Sequence, residues 1–299
     1  MVRYHGRAMK TLNIIGPGRV GRTLGALWAQ SNAFLVGDVY SRTAASGRDA
    51  LAFIGAGRSV KSVADMKPAD VWLITTPDTH IVGACAALSE DVGLRAGDIV
   101  FHCSGAMAAS DLRPATSAAG ARVASVHPLK SFADAADAKA SFTGTYCVAE
   151  GDEAALQVLN PAFERIGARM ITIAAVAKPL YHAASALVCN DLTALMEAGL
   201  RCYEAAGIER TLAMRMMEPL VRETVENVFK RGTVDALTGP VARGDVATVE
   251  RHLRRLGGVD ARIVRIYRDL SSLAVELARA RGTADSDALS RLAKILSSG

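Results

Sequence analysis

The chain has 299 residues, half of them hydrophobic and 22% charged, with a formal net charge of +5. That length exceeds an ordinary single domain and the composition matches folded globular proteins, so two domains with true hydrophobic cores are expected, and disordered or fibrous classes are excluded. Five cysteines, Cys85, Cys103, Cys147, Cys189 and Cys202, are scattered without a Cys-x-x-Cys pair, which argues against a disulfide framework or zinc site and for a reducing, cytoplasmic compartment.

The arginines of the second half alternate with acids, as in Arg222-Glu223 and Arg268-Asp269. The excess charge therefore reads as solvated helix faces that favour an anionic cofactor, not as a nucleic-acid patch. The first residues carry Arg3, Arg7 and Lys10 without the apolar run of a signal peptide. The most apolar later stretch, Ile173 to Cys189, is broken by Lys178, Pro179 and His182, so no membrane span is expected.

From Lys10 to about Ala174, short apolar runs alternate with helical segments, the pattern of an α/β Rossmann-type, doubly wound and mostly parallel sheet. The first run, Leu12–Ile15, leads into Gly16-Pro17-Gly18-Arg19-Val20-Gly21 and then into a helical segment. Strand, Gly-x-Gly-x-x-Gly and helix in that order make a dinucleotide turn, because glycine permits the tight bend and lets a pyrophosphate reach the helix N-terminus. Gly16, Gly18, Arg19, Val20 and Gly21 are the candidate contacts. The second run, Phe34–Tyr40, bears on which dinucleotide is bound. Asp38 has a spacing suited to the ribose hydroxyls of NAD, but Val39 and Tyr40 prolong the strand beyond it, and Ser41-Arg42-Thr43 form its tip. A hydroxyl and a guanidinium there suit the 2′-phosphate of NADP, with Arg19 closing from the other side, so NADP is favoured.

Runs at Val71–Thr75 and Ile99–His102 bring Thr76, Pro77, Ser104 and Gly105 to the carboxyl edge of the sheet, where ligands of such sheets bind. His102 reads as a strand histidine satisfied locally. Runs at Val123–Val126, Thr145–Val148 and Arg169–Ile173 complete the sheet. Strands then cease, and Pro179–Ala206, Thr211–Lys230, Val246–Leu256, Ala261–Arg281 and Ser286–Leu296 read as helices. A dinucleotide-binding domain over 1–174 and a helical domain over 175–299 are the expected division.

On the first of those helices, His182, Ser185, Cys189, Asn190, Thr193 and Glu197 share an arc of roughly 140°. The helix is otherwise rich in Ala, Leu and Val and should be largely buried, so the stripe is expected to line a polar cavity. His182 is the leading proton donor and Asn190 the group that orients a substrate oxygen, a locally satisfied core histidine being the alternative. His127, at a strand end before Pro128, is the second candidate donor, or else a strand-capping histidine. Lys130 is an anion contact or a solvent-facing residue. Thr238 to Asp245 reads as a loop in which Asp245 caps the next helix and Arg243, beside glycines, grips a substrate carboxylate or merely pairs with Asp245.

Taken together the chain resembles the Rossmann-like/DUF2520 family of predicted NADP oxidoreductases, within the 6-phosphogluconate dehydrogenase-like superfamily. The resemblance rests on Gly16 to Gly21, Ser41-Arg42, His127 to Phe132, Tyr181-His182-Ala183-Ala184 through Asn190, and Ala236 to Asp245. It implies an NADP cofactor, a helical second domain and a homodimer formed through that domain. More distant relatives, the β-hydroxyacid dehydrogenases and ketopantoate reductases, place a catalytic lysine four residues before an asparagine on this helix. Asn190 matches the asparagine, but Ala186 stands in the lysine's place, so that proton donor does not carry over. His127-Pro128 resembles the His-Pro-Met stretch of prephenate dehydrogenases, where a histidine works near the nicotinamide. The expected function is hydride transfer between NADP(H) and a small, carboxylate-bearing keto or hydroxy acid, a ketopantoate-like 2-keto acid being one candidate, with no metal, nucleic acid or membrane partner. A non-catalytic NADP-binding sensor and a deazaflavin-dependent NADP reductase are the alternatives.

Overall fold

The computed structural model describes residues 3–4 and 7–298; the expected domain ends at 1 and 299 lie outside the described residues. A short antiparallel pair, β1 (Arg3–Tyr4) and β2 (Arg7–Ala8), precedes the main sheet. The sheet has eight strands: β3 (Thr11–Ile15), β4 (Leu35–Tyr40), β5 (Arg58–Val60), β6 (Val71–Ile74), β7 (Ile99–His102), β8 (Arg122–Pro128), β9 (Tyr146–Gly151) and β10 (Arg169–Thr172), in the order β10-β9-β8-β7-β6-β3-β4-β5. Every pairing is parallel except β8 with β9. β6 and β7 are buried at every position, as continuous apolar strands in a sheet covered on both faces should be.

Helices α1 (Arg19–Ser31), α2 (Ala44–Ile54), α3 (Asp78–Asp91), α4 (Arg113–Ala119), α5 (Ala135–Ala140) and α6 (Glu153–Arg165) connect these strands. One core gathers Leu12, Ile14, Phe101 and Phe163 around Trp28. The Trp28 ring meets Phe34 and Phe163 edge-on at 5.4 and 5.1 Å, and its indole N–H donates to Ala162 O at 3.0 Å, so this large side chain is buried with its polar atom satisfied. A second core, on Trp72, Ile74, Ile81, Leu88 and Leu112, covers residues of the opposite face.

The structure corrects several expectations. β5, with three residues, is too short to show a strand period and was not expected. The run expected at Thr145–Val148 lies at Tyr146–Gly151 and runs antiparallel to β8. Apart from these corrections, the chain groups by its contacts into two compact units, Met1–Ala186 and Leu187–Gly299, whose boundary lies inside a helix, α7 (Lys178–Ala205).

The second unit continues with α8 (Arg210–Ala236), interrupted at Gly232 with φ 78°, then α9 (Gly239–Ala242), α10 (Val246–Leu256), α11 (Ala261–Arg281) and α12 (Ser286–Ser297). Carboxylates cap the last three: Asp245, Asp260 and Asp285 accept from the amides of Thr248, Arg262 and Ala288, satisfying donors a helix start leaves open. Val249, Val275, Leu289 and Leu292 form its core. The segment expected as a loop from Thr238 contains α9, since Pro240 at the start of a turn loses no hydrogen bond. α7 is not largely buried: Leu180, Leu187 and Val188 are 77%, 65% and 75% exposed, and Phe229 of α8 is 85% exposed. Among the described residues nothing covers these apolar side chains.

Candidate functional site

Strand order reverses at β3, which lies between β4 and β6, and a ligand crevice opens beyond the carboxyl ends of strands at such a point. Gly16 there has φ 76°, and a Cβ on it would lie 2.7 Å from Thr76 Cγ2. The turn is held by Gly16 N donating to Tyr40 O at 2.9 Å and Thr75 Oγ1 donating to Gly16 O at 2.8 Å. A Cβ on Gly21 would collide with Thr75 Oγ1, whereas one on Gly18 would meet nothing closer than 3.9 Å, so Gly18 faces open space. Gly18 is also the N-cap of α1; no side chain caps that helix and its first turn holds no acid. The amides of Arg19, Val20 and Gly21 thus begin a helix whose positive end is bare. Thr76 Oγ1 is buried and has no hydrogen-bond partner among the described residues, and Pro77 beside it directly precedes α3. A bare helix start, an approachable glycine and an orphan hydroxyl fit the pyrophosphate of a dinucleotide.

At the tip of β4 the acidic candidate is already spent. Asp38 is buried and receives Arg58 Nε and NH2 at 2.9 Å each, and the Lys67 amide at 2.7 Å. Burial pushes its carboxyl up, but the Arg58 guanidinium and Lys67 amide outweigh that and hold it below the usual carboxylate range. Ser41 and Arg42 follow the strand, and Thr43 caps α2 through Ser46 N at 3.2 Å. The Arg42 side chain is exposed and has no ion pair among the described residues.

Beyond β6, β7 and β8 a polar cluster forms. Ser104 Oγ donates to Asp78 Oδ2 at 2.8 Å and accepts from the amides of Ala106 and Met107 at 3.1 and 3.0 Å. His102 is structural: its Nδ1 accepts from Ser104 N at 3.1 Å, its Nε2 meets Ala108 O at 3.2 Å, and burial pushes it down to about 4. A Cβ on Gly105 would collide with His182 Nδ1 and come within 3.0 Å of His127 Cε1. Glycine at 105 therefore lets His127, ending β8, and His182, in the first turns of α7, approach with ring centroids 5.9 Å apart. His127 Nδ1 lies 2.9 Å from the Tyr181 hydroxyl, and His182 Nδ1 is buried without a partner. Burial pushes His127 down to about 4, with His182 and Lys178 adding to the effect and Asp78 opposing it.

Lys178, which the sequence presents as a break in an apolar run, is almost fully buried. Its ammonium contacts Ser125 Oγ and lies 3.5 Å from Glu150 Oε1, which also accepts from Ala109 N at 2.6 Å. Burial pushes Lys178 down and Glu150 opposes it.

Two family models match this chain: a Rossmann-like domain over residues 6–128 and the domain of unknown function DUF2520 over residues 145–274. The chain thus carries a Rossmann-like domain followed by a DUF2520 domain. Similar solved structures include protein TM1727 from Thermotoga maritima, 24% identical with a TM-score of 0.71 over 91% of this chain and 99% of that one. A candidate NADP oxidoreductase, BF3122 from Bacteroides fragilis, is 20% identical with a TM-score of 0.69, over 88% and 96%. A pyrroline-5-carboxylate reductase from Coxiella burnetii is 16% identical with a TM-score of 0.57, over 98% and 100%. At these identities the likeness is one of fold. No curated protein is similar in sequence to this chain.

Asn190 and Arg243 belong to the second unit. Asn190 is exposed on α7, and Glu197 of the same stripe is paired with Arg201 and Arg210. Arg243 ends α9 and is exposed; with Thr238, Arg281, Thr283 and Asp285 it lines a cavity of about 400 Å³. The Asp245 carboxyl is held below its usual range first by Thr248, with Arg251 and Arg243 acting from further off, and no Arg243–Asp245 ion pair forms among the described residues. Lys130 donates to Ser141 O at 2.9 Å. Ser125, Glu150, Lys178 and Tyr181 are the members of the cluster that sequence reasoning missed. The available signal was the spacing of Lys178, Tyr181 and His182, which puts them on neighbouring turns of one helix face.

Proposed function

We propose that this protein is an NADP(H)-dependent oxidoreductase that reduces the C=O bond of a small, carboxylate-bearing keto acid. The observation that carries the reading is the convergence, at one carboxyl edge of the sheet, of the bare glycine turn with its orphan Thr76 hydroxyl and the cluster of His127, Tyr181 and His182 packed on Gly105. NADPH, when bound, supplies the hydride. The amides of Arg19, Val20 and Gly21 would hold the pyrophosphate, and Ser41 and Arg42 the 2′-phosphate. The occupation of Asp38 by Arg58 supports NADP over NAD. Thr76, Pro77, Ser104 and Gly105 would border the cofactor, and the His127, Tyr181 and His182 group would serve proton transfer and substrate contact. Asn190 would orient the substrate oxygen and Arg243 would bind its carboxylate.

A closely related reading, reduction of the C=N bond of a cyclic imino acid, is favoured by the pyrroline-5-carboxylate reductase among the structures of similar fold. We further read the chain as a homodimer of a cytoplasmic protein, with a dinucleotide-binding domain over 1–174 and a helical domain over 175–299. The exposed apolar residues of α7 and α8 support a second copy as their cover, and five free cysteines suit a reducing compartment. Among the described residues no helix is long and apolar enough to cross a membrane.

The test is fluorescence titration of the purified protein with NADPH and NADH, followed by NADPH oxidation with 2-keto acids, cyclic imino acids, aldehydes and a deazaflavin. NADPH binding about tenfold or more tighter than NADH, with turnover of a keto or imino acid, is the expected result. Failure to bind either dinucleotide would overturn the reading, binding without turnover would make the protein a sensor, and turnover of the deazaflavin alone would move it to that class.

A further inference from the structure

Two histidines stand where a substrate proton could originate, yet neither is well arranged to give one. His127 is half-buried, and its pKa, pushed down to about 4 by loss of water, leaves it a neutral imidazole at neutrality. His182 has a buried Nδ1 with no hydrogen-bond partner among the described residues, so none of them returns a proton to that atom, and an acid or base in catalysis is ordinarily oriented by a third group. Tyr181 has both an ionisable proton and a partner to restore it, its hydroxyl lying 2.9 Å from His127 Nδ1, whereas the ammonium of Lys178 is engaged by Ser125 and Glu150.

We propose that the Tyr181 hydroxyl delivers the proton to the substrate heteroatom, with His127, protonated on Nδ1 and unprotonated on Nε2, as the group that restores it. The inference rests on the oxidoreductase reading. As the substrate carbon receives hydride from NADPH, the π pair of its C=O or C=N bond moves to the heteroatom, which takes the Tyr181 proton as the phenolic O–H bond breaks. The phenolate then takes the Nδ1 proton of His127 while Nε2 takes one from solvent, which leaves the neutral Nε2–H tautomer; gain of a solvent proton at Nδ1 and loss of one from Nε2 returns the ring to its Nδ1–H form before the next turnover.

The surroundings agree with this role. Burial raises the Tyr181 pKa, so the phenol keeps its proton until a strongly basic alkoxide or amide anion develops. Among the described residues the titratable and charged groups around the pair are His182 and Lys178 on α7, Asp78 on α3 and Cys147 on β9. One turn before Tyr181, Lys178 ties the start of α7 to Ser125 and Glu150, which makes it a positioning residue for the phenol. Gly105, by leaving room for both histidines, holds His127 under the hydroxyl.

The test has an arm that needs neither cofactor nor substrate. Imidazole ¹⁵N NMR of the protein alone should give the Nδ1–H tautomer for His127, and Tyr181→Phe should shift that equilibrium; an Nε2–H tautomer in the unaltered protein overturns the proposal. In the second arm, NADPH is tested with ketopantoate and with 1-pyrroline-5-carboxylate. Tyr181→Phe should bind NADPH within about twofold of the unaltered protein and lose about two to four orders of magnitude in kcat. His182→Asn should act mainly on KM. Full turnover by Tyr181→Phe, with kcat lost instead in His182→Asn, overturns the role of Tyr181 and leaves the oxidoreductase reading standing. Failure of the unaltered protein to bind NADPH overturns both.

Discussion

Lowering the pH should loosen the Rossmann unit before its carboxylates begin to titrate. His102 and His127 are both pushed by burial from an ordinary value of 6.5 down to about 4 in the folded protein. Between those values the unfolded chain binds more protons than the folded one, so stability rises with pH across the window and is lost as pH falls from 6.5 towards 4. A gap of roughly 2.5 units at about 1.4 kcal/mol each gives about 3 kcal/mol per histidine at the limit, and about 2 kcal/mol by about pH 5. Both together amount to about 4 kcal/mol, a large part of the stability of an ordinary domain. Asp38 and Asp70 are held below the usual carboxylate range, so their contribution is lost only at lower pH, and the two effects separate. The only tryptophans, Trp28 and Trp72, lie buried in the first unit, so their fluorescence in urea titrations reports that unit alone. The midpoint should fall by about 2 M between about pH 7 and about pH 5, and His127→Gln should remove about half of the fall. A midpoint that does not move over that range would refute the assignment of neutral imidazoles.

Gly105→Ala places a methyl group against both His182 and His127; because Gly105 has no positive φ, the effect is one of space alone. Turnover should fall by about 10²-fold and stability by about 1–3 kcal/mol, whereas Gly83→Ala, with open space around its Cβ position in α3, should stabilise by about 0.5–1 kcal/mol in the same fluorescence assay. Lys178→Met strands Glu150 in the core without its cation and should cost about 3–5 kcal/mol, much of it recovered on adding Glu150→Gln; equal urea midpoints for the single variant and the unaltered protein would deny the buried pair. Arg42→Ala should weaken NADPH binding about tenfold or more and leave NADH unchanged in fluorescence titration. Arg243→Lys should raise KM strongly at constant melting temperature and NADPH affinity; an early melt with constant KM would make Arg243 a scaffold residue.

The dinucleotide turn was legible because all its causes are contiguous: an apolar strand, glycines whose conformational freedom is a property of the residue itself, and a helix directly after them. The same holds for α10 and α11, whose observed bounds, Val246–Leu256 and Ala261–Arg281, equal the expected ones, since the caps Asp245 and Asp260 stand beside the periodic segments they start. His102 was readable in part, as Ser104 and Ala108 lie within six residues, while its third partner, Ser125, comes from 23 positions away. What only the tertiary structure decided is which polar groups meet. Asp38 is taken by Arg58 across a β4–β5 pairing that a three-residue strand could not announce. Tyr181 finds His127 across 54 positions, and Lys178 finds Ser125 across 53 and Glu150 across 28. A lysine's effect on a local hydropathy pattern is the same whether it faces water or a carboxylate 28 positions away. Its burial depends on partners that sheet order and strand direction bring to one place.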